Sequence, residues 1–133
     1  MNKFKVLIAD STPSVRQFIR YSLQDHFRDL EFEVAANGKN IKKRLEDNHY
    51  DLILYDRDMP MLNGDELLKW LRTHATLKDI SFVMISGDRD EKSLQTAIDH
   101  GADAYLIKPL LMEPLINKIK EILNAFEKKN FDR

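Results

Sequence analysis

The segment Tyr50 to Pro60, YDLILYDRDMP, constrains the fold more than any other part of the chain. Leu52, Ile53, Leu54 and Tyr55 form an apolar run too short for a helix and bounded by carboxylates. That is the pattern of a strand buried on both faces of a parallel sheet. The run delivers Asp56 and Asp58 at its C-terminal end, just before the breaker Pro60. In an open α/β sheet, ligands sit at that edge. An aspartate there is either a strand-ending turn residue or a reactive or metal-binding carboxylate, and the remaining runs decide between the two.

Three further short apolar runs end in the same way. VLIA (6–9) leads into Asp10 and Ser11, ISFVMI (80–85) into Ser86-Gly87-Asp88, and AYLI (104–107) into Lys108-Pro109. A looser alternation over Glu31 to Ala36 stops at Asn37-Gly38, a turn signal. Helical spacing fills the gaps. Thr12-Pro13 opens a first helix with Val15, Phe18, Ile19 and Leu23 on one face. Lys39 to Asn48 carries only Ile41 and Leu45, and Glu66 to His74 carries Leu67, Leu68 and Leu71. Asp90 to His100 presents Leu94, Ala97 and Ile98, with Gly101 placed to end it. Pro114 opens a last helix with Leu115, Ile119, Ile122, Leu123 and Phe126 in a stripe.

Strand and helix thus alternate five times over short connections. Right-handed crossovers then require a parallel sheet covered by helices on both faces. The expected fold is α/β, a doubly wound, flavodoxin-like five-stranded sheet in the order 2-1-3-4-5. The expected domain spans 1–126, with 127–133 as a polar, fraying tail or the start of a linker.

Composition narrows the function. The 21 Lys+Arg residues balance 22 Asp+Glu, leaving a net charge of -1 and no electrostatic case for direct nucleic acid binding or a membrane surface. There is no cysteine, which excludes thiol catalysis and thiolate metal sites and fits an intracellular, cytoplasmic protein. No apolar run approaches the roughly 18 residues of a membrane span. The N-terminal MNKFKVLIAD stops at Asp10 without a cleavage region, which argues against a signal peptide. His26, His49, His74 and His100 each fall at the C-terminal end of an expected helix, where the dipole favours them, with no metal-ligand spacing. Lys42, Lys43 and Arg44, followed by Glu46 and Asp47, read as a solvated face. Trp70 reads as half-buried packing.

In the expected strand order Asp10 and Ser11, Asp56, Ser86 and Lys108 converge at one sheet edge. Two carboxylates suit a hard divalent cation such as Mg2+, which prefers oxygen ligands. A hydroxyl and an ammonium suit phosphoryl oxygens. An aspartate between cation and ammonium is placed to attack phosphorus.

At this point the chain resembles the receiver domains of bacterial two-component response regulators, of the chemotaxis-receiver kind, over essentially its whole length. The motifs that carry the resemblance are VLIAD with a proline-opened helix, YDLILYDRDMP with Gly64 downstream, ISFVMISG and GADAYLIKP. The resemblance implies that Asp56 is phosphorylated by a sensor histidine kinase or phosphotransfer protein. It implies Mg2+ held by Asp10, Asp56 and the backbone carbonyl of Asp58. Ser86 stands for the hydroxyl that moves to the phosphoryl group, Tyr105 for the aromatic switch, and Lys108 for the lysine that pairs with phosphoryl oxygens. A cis Lys108-Pro109 peptide is implied as well. The implied output is a changed surface over Lys92 to Phe126, the fourth helix, last strand and fifth helix, which meets a downstream target, an output domain or a second copy. Such a protein turns over no external metabolite and catalyses only its own aspartyl phosphorylation and dephosphorylation.

The chain departs from the family at Ser11, where most receivers carry a second acid. One carboxylate fewer predicts weaker Mg2+ binding, with Ser11 contributing a hydroxyl or a metal-bound water; a tenfold loss corresponds to about 1.4 kcal/mol. The Asp58 carboxylate either leans back to restore that charge or faces solvent. Ser11 is also the sole support for a second reading, a degenerate receiver that acts as a phosphorylation-independent interaction module. A third class, an enzyme on the same plan, fits less well. STPSVR lacks the glycine of a flavodoxin phosphate loop, and the chain has no room for the substrate-binding insertions of an aspartyl phosphatase.

Overall fold

The computed structural model describes residues 3–131. Its elements, in chain order, are β1 (Phe4–Ala9), α1 (Pro13–His26), β2 (Leu30–Ala35), α2 (Ile41–Asp47), β3 (Leu52–Asp56), α3 (Gly64–Arg72), β4 (Ser81–Ser86), α4 (Glu91–Asp99), β5 (Ala104–Ile107) and α5 (Met112–Phe131). The five strands form one sheet in the order β2-β1-β3-β4-β5, and every pairing is parallel. The sequence-based order is therefore the observed one.

Strand alternation divides the core in two. Ile53 and Tyr55 of β3 face a cluster with Ile41 and Leu45 of α2, Leu67, Leu68 and Leu71 of α3 and Ala97 of α4. Leu52 and Leu54 face the opposite cluster, with Ile19 and Leu23 of α1 and Leu115 and Ile119 of α5. All five β3 residues are buried, which is why this strand reads as a continuous apolar run and not an alternating one. Each fully buried leucine of α3 contributes about 1.5–3 kcal/mol of apolar burial. Among the described residues no helix is long and apolar enough to cross a membrane.

Several boundaries moved. α3 starts at Gly64, two residues before the expected Glu66, because Asn63 caps it: its Oδ1 accepts from Glu66 N at 2.9 Å while its Nδ2 donates to Glu66 Oε1 at 2.9 Å. α5 begins at Met112 with Pro114 inside its first turn. α5 also continues through Phe131, so residues 127–131 are helical where fraying was expected. Phe126 packs edge-on against Phe4 at 4.8 Å, and Lys128 and Lys129 sit at the favourable end of the helix dipole.

The histidines follow the dipole reading only in part. His26 Nδ1 lies 2.8 Å from the Ser22 carbonyl, as that reading requires. His49, His74 and His100 instead approach the carboxylates of Asp51, Glu46 and Asp65 at 2.8, 3.0 and 3.7 Å. Tertiary packing brings acids to them that chain spacing does not reveal. Arg44 likewise leaves the expected solvated face: it bonds Glu33, the Val34 carbonyl and the Tyr50 hydroxyl, whereas Lys43 pairs with Asp47 on the surface.

Candidate functional site

The strand order reverses direction between β1 and β3, the switch point outside whose C-terminal strand ends ligands bind in open α/β sheets. Asp10, directly after β1, is fully buried, and Asp56, the last residue of β3, is 5% exposed. Both carboxylates are oriented alike. Asp10 Oδ1 accepts from Thr12 N at 2.9 Å, and Asp56 Oδ1 accepts from Asp58 N at 3.0 Å. Each strand thus ends in a turn that ties one oxygen of its aspartate to the main chain two residues on. Their second oxygens share a cation. Lys108 Nζ stands 2.8 Å from Asp10 Oδ2 and 3.5 Å from Asp56 Oδ2.

Lys108 reaches that position because it follows β5 directly, and its amide donates to the Ser86 carbonyl at 2.8 Å. The Lys108-Pro109 peptide is cis. Ser86, 1% exposed at the end of β4, accepts from Asp88 N at 3.0 Å through its hydroxyl oxygen, leaving its proton free to donate. The four residues singled out at strand ends therefore lie on adjacent strands at one edge, three of them in direct charge contact.

Electrostatics separate Asp56 from an ordinary surface carboxylate. Burial pushes the Asp56 carboxyl above its usual range; the Asp10 charge acts in the same direction, while the Asp58 N–H and Lys108 pull back. Burial works against the Lys108 ammonium, but the Asp10 and Asp56 charges outweigh it and hold its proton more tightly than usual. Asp10 Oδ2 makes its contact with Lys108 without hydrogen-bond alignment and has no donor of its own among the described residues. A buried anionic oxygen left in that state fits an additional cation.

Other expected residues stand apart. Ser11 and Asp58 are exposed, and the Asp58 side chain makes no hydrogen bond or ion pair among the described residues. Two carboxylates thus stand together at this edge, and no group of three or more acidic or histidine residues placed to hold a metal occurs among the described residues. Tyr105 is half-buried against the α2/α3/α4 cluster, and its hydroxyl donates to the Asp88 carbonyl at 2.8 Å.

Sequence reasoning passed over Arg57, whose side chain is only 11% exposed and binds Asp65 through two nitrogens at 2.9 and 3.0 Å. The available signal was a cation directly following a buried strand. It also passed over Tyr55, whose hydroxyl donates to the Leu62 carbonyl at 2.7 Å and steadies the loop after β3.

Comparisons with known proteins agree with this geometry. The family model "Response regulator receiver domain" matches residues 6–120. The response regulator ArlR of Staphylococcus saprophyticus is 30% identical over 95% of this chain, which spans 55% of that protein. The chemotaxis protein CheY of Pseudomonas aeruginosa is 29% identical over 95% of this chain and 98% of its own length. A similar region covers 17% of the Vibrio cholerae CAI-1 autoinducer sensor kinase/phosphatase CqsS, at 28% identity over 86% of this chain. The chain therefore spans about half the length of the ArlR relative and nearly the whole of CheY. Among solved structures, the receiver domain protein of Methanospirillum hungatei superposes with a TM-score of 0.82 at 28% identity, covering 96% of this chain and 98% of that one. Vibrio cholerae CheY4 gives 0.80 at 28% identity, with 90% and 98% covered. A family match across most of the chain, joined to the strand order and the paired aspartates with their lysine, leads to one conclusion: the chain belongs to the response regulator receiver domain family of two-component signalling.

Proposed function

We propose that the protein is a phosphorylation-controlled switch that accepts a phosphoryl group on Asp56. The observation that carries this reading is the contact of one lysine with two buried aspartates, Asp10 at 2.8 Å and Asp56 at 3.5 Å, beside the free hydroxyl proton of Ser86. Receiver domains work with histidine kinases, and the donor would be a phosphohistidine of such a kinase or of a phosphotransfer protein.

In the proposed step an Asp56 carboxylate oxygen attacks phosphorus and forms the new P–O bond. The bond from phosphorus to the donor nitrogen breaks, and the imidazole leaves with that electron pair. The Asp58 N–H holds Asp56 Oδ1 and so limits the carboxylate's rotation before attack. Burial removes water from the nucleophile, which raises its basicity. Lys108 is free to move from the aspartates onto a phosphoryl oxygen, and the Ser86 hydroxyl donates to another. Asp10, Asp56 and the Asp58 carbonyl would hold Mg2+, with Ser11 contributing weakly or through water. When bound, that ion would neutralise charge on the phosphoryl oxygens.

The output reading follows from exposed apolar side chains on the face beyond the site. Leu94 and Ile98 of α4 and Ile107 of β5 are 39%, 42% and 36% exposed. Together with Tyr105 and α5 they form the surface that would change on phosphorylation and meet a target, an output domain or a second copy. A phosphorylation-independent interaction module is the second reading, favoured by exposed Ser11 and the two-carboxylate site.

Intact mass after incubation with a small phosphodonor, with and without Mg2+, separates the two. A Mg2+-dependent phosphoryl adduct on wild type, absent from Asp56→Asn, is the expected result. A folded protein that takes up no phosphoryl group at high Mg2+ would overturn the switch and favour the interaction module instead.

A further inference from the structure

Arg57 follows the acceptor aspartate directly, yet its side chain turns away from the acceptor edge and fills the space between α3, α4 and β5. Its main chain is fixed on both sides: Arg57 N donates to the Ile85 carbonyl at 2.7 Å, and its own carbonyl accepts from Gly64 N at 2.8 Å. The guanidinium is engaged at every nitrogen. Nε and Nη2 grip the two Asp65 oxygens at 2.9 and 3.0 Å, while Nη1 donates to the Ser93 carbonyl at 2.9 Å and to the Tyr105 hydroxyl at 3.3 Å. The cation also lies 5.6 Å from the centre of the Tyr105 ring.

The groups that Arg57 holds are those that meet at Asp88. Tyr105 donates to the Asp88 carbonyl, Ser93 Oγ donates to Asp88 Oδ2 at 2.7 Å, and the Asp88 amide donates to the hydroxyl oxygen of Ser86. Asp88 is thus the residue to which Ser86, Tyr105 and the first turn of α4 are all bonded. Arg57, anchored on α3 by a bidentate ion pair, holds two of those three groups from the other side.

We propose that Arg57 is the latch of the switch: clamped by Asp65, it positions the Tyr105 hydroxyl and the Ser93 turn of α4 around Asp88 and sets the balance between held and released forms of the α4-β5 surface. This rests on the switch reading given above and adds to it a residue outside the phosphoryl chemistry. Among the described residues, removing the guanidinium takes away one of the two hydrogen bonds of the Tyr105 hydroxyl and the one side-chain donor on Ser93 O, while Asp10, Asp56, Ser86 and Lys108 keep their contacts. A ligand or modification shifts such an equilibrium only through differential contacts in the two forms, and Arg57 supplies those contacts to the held form.

The test labels the protein with fluorotyrosine, which reports on all four tyrosines at once; Tyr105→Phe assigns the relevant signal. Arg57→Met keeps the apolar stem and removes the fork. The expected result is at least a tenfold fall in the ratio of held to released Tyr105 signal, about 1.4 kcal/mol, with Tyr50 and Tyr55 unmoved. Asp65→Asn leaves the guanidinium but loosens its anchor, and shifts Tyr105 in the same direction by a smaller factor. It decides alone if Arg57→Met does not fold. A Tyr105 signal identical to wild type in the folded variants overturns the latch, and so does a common shift of all the buried tyrosines. Phosphoryl adduct mass measured on the same samples keeps the two ideas apart. No adduct on wild type removes the phosphorylation reading, while the fluorine signals still judge Arg57.

Discussion

Gly38→Ala tests whether the loop after β3 is seated on the loop after β2. A Cβ at Gly38 would collide with Leu62 Cβ and stand 2.7 Å from Leu62 N and 3.0 Å from Leu62 Cα. These are main-chain and Cβ atoms, so no rotamer change relieves the overlap. Two hydrogen bonds oppose separation of the loops: Gly38 N to the Pro60 carbonyl at 2.7 Å, and the buried Tyr55 hydroxyl to the Leu62 carbonyl at 2.7 Å. Gly38 is outside the left-handed region, so the cost is steric and not conformational. Overpacking of this kind costs about 1–3 kcal/mol, and weakening one internal hydrogen bond adds about 1 kcal/mol. We expect a loss of about 2–4 kcal/mol by urea denaturation, which at a slope of about 2 kcal/mol/M lowers the midpoint by roughly 1–2 M. Gly87→Ala is the control. It lies in the loop after β4, no atom comes within 4 Å of the added Cβ, and its backbone is also outside the left-handed region. It should leave stability unchanged or raise it by about 0.4–1 kcal/mol. Because the Asp58 carbonyl rides on the displaced loop, Mg2+ titration should also show weaker binding in Gly38→Ala. A loss below about 0.5 kcal/mol, or equal effects at the two glycines, would refute the seating argument.

Three further substitutions probe separate parts of the molecule. Ser11→Asp adds a carboxylate beside Asp10 and should tighten Mg2+ about tenfold, or about 1.4 kcal/mol; equal affinities by calorimetric titration would show that Ser11 stands outside the cation site. Glu33 is held down to about 2 by Lys5 first, then by Tyr50 and Arg44. Its contribution is thus present above the ordinary carboxylate range and is lost as pH falls through that range toward about 2. Glu33→Gln should flatten that acid limb of urea stability between pH 5 and 2, modestly because Glu33 is 37% exposed and screened. An acid limb as steep as that of wild type would count against the cluster. Arg72 bonds the carbonyls of Gly101, Lys78 and Ile80 and the Asp103 carboxylate, tying α3 to the segments that lead into β4 and β5. Arg72→Ala removes the side-chain donor from the three carbonyls, while Asp103 keeps its bond from Phe82 N at 2.8 Å, and should cost about 2–4 kcal/mol in chemical denaturation, with fold but not Mg2+ affinity affected.

Much of the site could be read from the chain because its information is local. Asp10, Asp56, Ser86 and Lys108 each close a short apolar run, and in a parallel sheet all such closures fall on one edge. Alternation and crossover handedness restricted the sheet to a doubly wound parallel plan, for which the order 2-1-3-4-5 was expected, so the neighbours of that edge were expected before any distance was measured. The tie between Thr12 N and Asp10 Oδ1 is equally local, two residues apart, although it was not singled out. What the tertiary structure alone decided involves partners distant in sequence. Arg57 meets Ser93 and Tyr105 across 36 and 48 residues, and Arg44 meets Glu33 across 11. His74 finds Glu46 across 28 residues, which is why a helix-end rule misplaced its partner. Whether Asp58 leans into the site or faces water is also set by packing: it is exposed, while its neighbour Arg57 is drawn inward by Asp65. Hydrophobic period and turn chemistry act over a few residues and specify elements and their ends. Charged side chains choose partners through space, after apolar burial has brought the helices together.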